Sequence, residues 1–122
     1  MGGMPFISRS KTLSWTRHAR TKMQFYKLSE GRVRRVLHSP RRIEEGVALK
    51  TVAMMQPATL RMNGNKATWN QEIWVMVQDD EQSRRVISVW RYPGVTKPRS
   101  EAAINLMRKE YESFMENSKK KD

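Results

Sequence analysis

Two runs dominate the hydropathy pattern of the chain. "EIWVMVQ" (72–78) and "RVISVWRY" (85–92) carry β-branched and aromatic residues at odd and even positions alike, which predicts two central strands covered on both faces. The polar "DDEQSR" between them predicts their connection. A third run, "ALKTVAMMQ" (48–56), alternates Leu49, Thr51, Ala53 and Met55 against Lys50, Val52 and Met54 and closes at Pro57. Before it, "RRIEEG" (41–46) predicts a shorter strand ending at Gly46. Asn63-Gly64, inside "ATLRMNGNKATWNQ" (58–71), is a strong turn signal and predicts either a hairpin tip or a disordered loop.

Toward both ends the period changes to that of a helix. Trp15, Ala19, Met23 and Tyr26 recur at three and four, predicting a helix over roughly 15–27. Ser29 is a good N-cap for a second helix, with Val33, Val36 and Leu37 as its apolar stripe and Pro40 as its stop. Ser100 caps a terminal helix that carries Ile104, Met107, Tyr111, Phe114 and Met115 on one side and ends near Asn117. The expected architecture is α+β: two N-terminal helices, a three- to four-stranded antiparallel sheet, and a C-terminal helix. It occupies residues 13–117, between a flexible arm at 1–12 that can dock one strand and a basic tail at 118–122.

Composition narrows the function classes. The 122 residues suit one small domain, and 38% hydrophobic content with four Trp suffices for one core. Zero cysteines exclude disulfides, thiolate metal sites and a cysteine nucleophile. No apolar run approaches the ~18 residues that cross a bilayer, and neither a basic amphipathic helix nor a lipid signal is present, so the expectation is a cytoplasmic protein without a membrane partner. Against 12 acidic residues stand 24 Lys and Arg, a formal charge of +12, so the expected partners are polyanions. The arginines expected to track a phosphate backbone are Arg17, Arg20, Arg32, Arg34, Arg35, Arg41, Arg42, Arg84 and Arg85, or else they only solubilise the surface.

The segments "WTRHARTKM", "LSEGRVRRVLHSPRRIEEG", "EIWVMVQ" and "RRVISVWRYPG" together resemble a family of small domains related to the BrnT and RelE toxins. The resemblance spans roughly residues 13–95. It implies the compact toxin ribonuclease fold, metal-independent cleavage of RNA, which can be ribosome-bound, and an acidic antitoxin protein as partner. It places His18 at the His-Ala position of the first helix and Arg91 at the basic position ending the last strand.

RNA cleavage without a metal needs a base for the ribose 2′-OH, cations for the charged phosphorane and an acid for the leaving oxygen. His18 titrates nearest neutral pH and suits base or acid; Lys22 lies one helical turn further on. Arg91 offers bidentate donors to a phosphate, and Tyr92 or Tyr26 a hydroxyl. Each has a plainer alternative. His18 can be a half-buried imidazole that seats the first helix on the sheet, Arg91 a strand residue stacked on Trp90 or Trp74, and the tyrosines the edges of the core. Arg91 is expected opposite Trp90, with Val89 and Ile87 on its own side. His38 suits the C-terminal dipole of the second helix, and Trp69 either stacks a base or packs on its own hairpin. No cofactor or metal is expected: Asp79, Asp80 and Glu81 read as a polar turn, Glu44 and Glu45 fall on opposite faces of a strand, and no Gly-rich phosphate loop is present. The sequence thus supports a toxin-like endoribonuclease or, alternatively, a non-catalytic nucleic-acid-binding or ribosome-associated module of the same fold.

Overall fold

The computed structural model describes residues 11–121. In chain order its elements are β1 (Thr12–Trp15), α1 (Arg17–Tyr26), α2 (Glu30–His38), β2 (Arg42–Glu45), β3 (Thr51–Pro57), β4 (Arg61–Asn63), β5 (Lys66–Thr68), β6 (Glu72–Asp79), β7 (Ser83–Tyr92) and α3 (Glu101–Lys121). Five strands form one sheet in the order β1-β7-β6-β3-β2, and β4-β5 is a separate two-stranded ribbon. The α+β class is as expected. The sheet has five strands rather than the three or four expected, a strand precedes the two helices, and the pairing is mixed, because β1 lies parallel to β7, Thr12 opposite Ser83 through Trp15 opposite Val86. The arm expected over 1–12 lies outside the described residues up to residue 10, while Thr12 belongs to β1.

Local chemistry explains the boundaries. Thr16 caps α1, its side chain accepting from the Ala19 N–H at 2.9 Å, so Trp15 falls in the strand although it shares the helical spacing of Ala19 and Met23. The chain leaves α1 through Lys27 in the left-handed conformation (φ 57°, ψ 49°), where its N–H and that of Leu28 satisfy carbonyls of the last turn. Ser29 caps α2 by accepting from Arg32 N–H at 3.0 Å, as its position predicts. Gly64 (φ 62°) supplies the left-handed residue that the β4-β5 turn needs, which makes the 58–71 segment a hairpin. The terminal helix runs on to Lys121 rather than ending near Asn117, since the added Ser and Lys residues contain no breaker and cations suit a helix C-terminus.

The sheet lies between two helical layers. Ala19, Met23, Leu28, Val33 and Val36 cover one face, packing on Met54, Ile73, Val75, Val77, Val86 and Val89. Met107 and Phe114 of α3 cover the other, packing on Ala53, Met55, Trp74, Met76, Ile87 and Trp90. Trp74 and Trp90 are paired across β6 and β7 with ring centroids 5.9 Å apart and planes nearly parallel. A bulge between Met76 and Val77 shifts the β6-β7 register, so Val86 and Val89 both face α1 and α2 while Ile87 turns to α3. Simple alternation put Ile87 beside Arg91; the bulge moves it to the opposite face.

Candidate functional site

β1 pairs with only the first half of β7, and α1 follows directly, packing against β7. In that position α1 has two working sides. Ala19 and Met23 enter the first core, while His18 and Lys22, one turn apart, turn toward α3. Lys22 Nζ lies 2.8 Å from Glu110 Oε2, and Ser88 Oγ donates to Glu110 Oε1 at 2.7 Å, so one carboxylate ties α1, β7 and α3 together. Glu110 interrupts the apolar stripe of α3 between Met107 and Phe114, which was its only sequence signal.

His18 is 7% exposed and sits 6.1 Å from the Phe114 ring. The Asn117 side-chain amide is hydrogen-bonded to His18 Nδ1 at 2.7 Å. Nε2 is itself buried without a partner. Burial holds the His18 pKa below its ordinary value; Glu110 pulls it up, and Lys22 lowers it further. His18 also lines a cleft of about 450 Å³ whose other walls include Trp15, Arg17, Thr21, Arg85 and Phe114. Arg17 and Arg85 are exposed at this cleft, and the Arg85 guanidinium lies 5.6 Å from the Phe114 centroid while donating to Gln78 at 2.7 Å.

The residues expected around His18 divide. Lys22, Arg17 and Arg85 are brought beside it. Arg91 is not: its Nε donates to the Tyr26 carbonyl at 3.0 Å and its NH1 to Gln71 Oε1 at 3.0 Å. Tyr26 ends α1 and His18 begins it, eight residues and about 12 Å of helix apart. Arg91 faces the side of α1 and α2, as Val89 does, whereas Tyr92 packs with the α3 core and lies beside Gly94, and neither lines the His18 cleft.

The remaining arginines have different employments. Arg84 makes two hydrogen bonds to Asp79, at 2.8 and 2.9 Å. Burial alone would raise Asp79, but these bonds outweigh it and hold the carboxyl below its ordinary value; the same bonds raise Arg84. Arg42 donates to Glu44 at 2.9 Å and to the Thr96 carbonyl at 3.0 Å, with its guanidinium over Trp74, so it braces the sheet. Arg32 ties α2 to β3 through Gln56 and the Pro57 carbonyl; burial, then Arg35 and Arg91, lower its pKa. Arg20 and Arg34 both lie over the Trp15 ring and pair with Glu30. Arg17, Arg35, Arg41 and Arg85 are exposed and have no acidic partner among the described residues. His38 is exposed in the last turn of α2, and Arg34 and His38 line a separate groove with Leu13.

Sequence reasoning missed the second polar centre. Glu72 is fully buried at the start of β6 and accepts four hydrogen bonds: from Trp69 Nε1 at 2.9 Å, Trp74 Nε1 at 3.0 Å, Thr96 N at 3.0 Å and Thr96 Oγ1 at 2.7 Å. An acid opening an otherwise apolar strand between two tryptophans was the available signal. Among the described residues no group of three acids or histidines could hold a metal ion, and no helix is long and apolar enough to cross a membrane. Comparison with family models, with curated proteins and with solved structures finds no match for this chain. The kinship expected with the BrnT and RelE toxins therefore stands on the quoted segments alone.

Proposed function

We propose that this chain is an RNA-binding module whose main contact surface is the cleft between the start of α1, β7 and α3. The observation that carries the reading is the pair Arg17 and Arg85, two exposed guanidiniums without acidic partners among the described residues, at a cleft walled by Trp15 and Phe114. Guanidiniums take phosphate oxygens in bidentate fashion, and the partly exposed Trp15 adds apolar surface beside them, so this combination suits a nucleic-acid strand. The formal charge of +12 adds long-range attraction to any polyanion. An acidic protein such as an antitoxin, or ribosomal RNA in its assembled state, would compete for the same arginines.

Binding is favoured over cleavage on chemical grounds. A general base needs a ring nitrogen within reach of the 2′-OH, and in His18 Nδ1 is engaged by Asn117 while Nε2 is enclosed. Arg91, the expected phosphate clamp, is held by Tyr26 and Gln71.

The test is fluorescence anisotropy with a labelled single-stranded RNA of about twelve nucleotides over a salt series, together with incubation of the same RNA in EDTA. Binding should weaken with salt, and Arg17→Ala with Arg85→Ala should reduce the slope of log K against log salt by about 1.4, two contacts at ~0.7 each. The RNA should stay intact. Absence of binding near 50 mM salt would end the proposal, and cleavage abolished by His18→Ala would restore the ribonuclease reading.

A further inference from the structure

The base of the β4-β5 hairpin holds an aromatic platform remote from the His18 cleft. Trp69 is half-buried, and its indole N–H donates to Glu72, a carboxylate with no exposure at all. Because Glu72 is also held by Trp74 and Thr96, the orientation of the Trp69 ring is set by the sheet rather than by the loop that carries it. The Arg41 guanidinium covers the ring at 5.1 Å from its centroid. A second cleft, of about 420 Å³, is lined by Trp69 with Thr59, Arg61, Thr68 and Asn70, and Arg41 takes no part in it. Trp69 thus meets the Arg41 cation and the core under α3, and its remaining surface borders the second cleft. Between Ala58 and Gln71 the chain contains Arg61 and Lys66 and no acid.

We infer that this second cleft takes one unpaired base of single-stranded RNA, stacked on the Trp69 indole, with Arg61 and Asn70 at its edge. The inference rests on the reading that the chain binds RNA. A ring fixed in advance loses little freedom on binding, and the cation on its covered side does not block the stack. Bases of a duplex are already stacked on their neighbours and cannot enter, so the site discriminates single strands from duplexes. Asn70 offers an amide donor and acceptor beside the ring, and Arg61 is placed for the flanking phosphate.

Two measurements test this. In the first, Trp69→Ala is compared with wild type on single-stranded RNA and on a duplex of equal length at one salt concentration. Single-strand affinity should fall about five- to a hundredfold, the worth of one stacked base, with duplex affinity and the salt slope unchanged. In the second, the unsubstituted protein is titrated with each RNA, Trp74 and Trp90 being 1% and 2% exposed and shielded from ligand. Saturating single-stranded RNA should quench the emission further than duplex does, since both can reach Trp15 at the first cleft and only the single strand reaches Trp69, a readout that survives if Trp69→Ala fails to fold. RNA binding by wild type without this extra quenching, or with full affinity in a folded Trp69→Ala, would overturn the inference and leave the proposed function standing. Failure of wild type to bind any RNA would overturn both.

Discussion

The cleft exists because α1 and α3 are held at one separation, and the Lys22–Glu110–Ser88 bridge joins the His18–Asn117 contact in holding them. Replacing Glu110 by Ala leaves two groups without their partner. Lys22 loses a carboxylate at 2.8 Å with its side chain only 20% exposed, and Ser88, fully buried, loses its acceptor at 2.7 Å. A fully buried pair broken on one side costs about 3–5 kcal/mol. Here water reaches Lys22 in part, which lowers that term, while the orphaned hydroxyl adds about 1 kcal/mol, so the expected loss is roughly 2–4 kcal/mol. For a domain of this size that is a fall of about 8–15 °C in Tm. Urea unfolding followed by tryptophan emission measures it, and the slope against denaturant should stay constant because no core residue is removed. Lys22→Met on top of Glu110→Ala should recover stability, since the double variant no longer buries an unpaired ammonium. A double-mutant cycle should give a coupling of about 1 kcal/mol or more. A loss under about 0.5 kcal/mol, or additive single variants, would refute the claim that this carboxylate fixes the cleft.

Two further outcomes follow from the same geometry. The His18 pKa is lowered in the fold, so unfolding takes up a proton between the ordinary value near 6.5 and the lowered one. The unfolded state binds more protons in that window, and stability is therefore full above about pH 6.5 and lost as pH falls toward the folded value. Unfolding free energies at a few pH values should show this decline in wild type and a flatter profile in His18→Gln; parallel profiles would contradict it. Arg91→Leu should cost about 1–2 kcal/mol, by removing the bonds to the Tyr26 carbonyl and Gln71, and should leave RNA affinity at constant salt within about threefold. A large loss of RNA affinity in a stably folded Arg91→Leu would return this residue to the binding surface.

The unequal fate of His18 and Arg91 shows how far residue patterns reach. Both are single polar residues beside apolar neighbours, and nothing in their spacing says whether they meet. His18 keeps Lys22 as a neighbour because a helical turn is a local rule of the backbone. Arg91 is separated from it because it meets α1 at Tyr26, the end of the helix away from His18, a relation set by packing. The charged surface was legible in part: Arg17 and Arg85 are exposed without an acidic partner among the described residues, whereas Arg42 and Arg84 are committed to Glu44 and Asp79, acids close in sequence whose partnership depends on strand register and burial.

Read alone, the residues specify the helices, the strands that form the centre of the sheet, a turn at Asn63-Gly64 and the strong positive charge, because capping, periodicity and turn chemistry act over a few positions. The parallel pairing of β1 with β7, the bulge that turns Ile87 to α3, the burial of Glu72 and Glu110, and the meeting of His18 with Asn117 were decided only by the tertiary structure. Each joins or reorders segments that share no local signal, from the three-residue reach of Glu72 to Trp69 up to the 99 residues between His18 and Asn117, and each is selected by which arrangement leaves the fewest apolar surfaces wet and the fewest buried polar atoms unpaired.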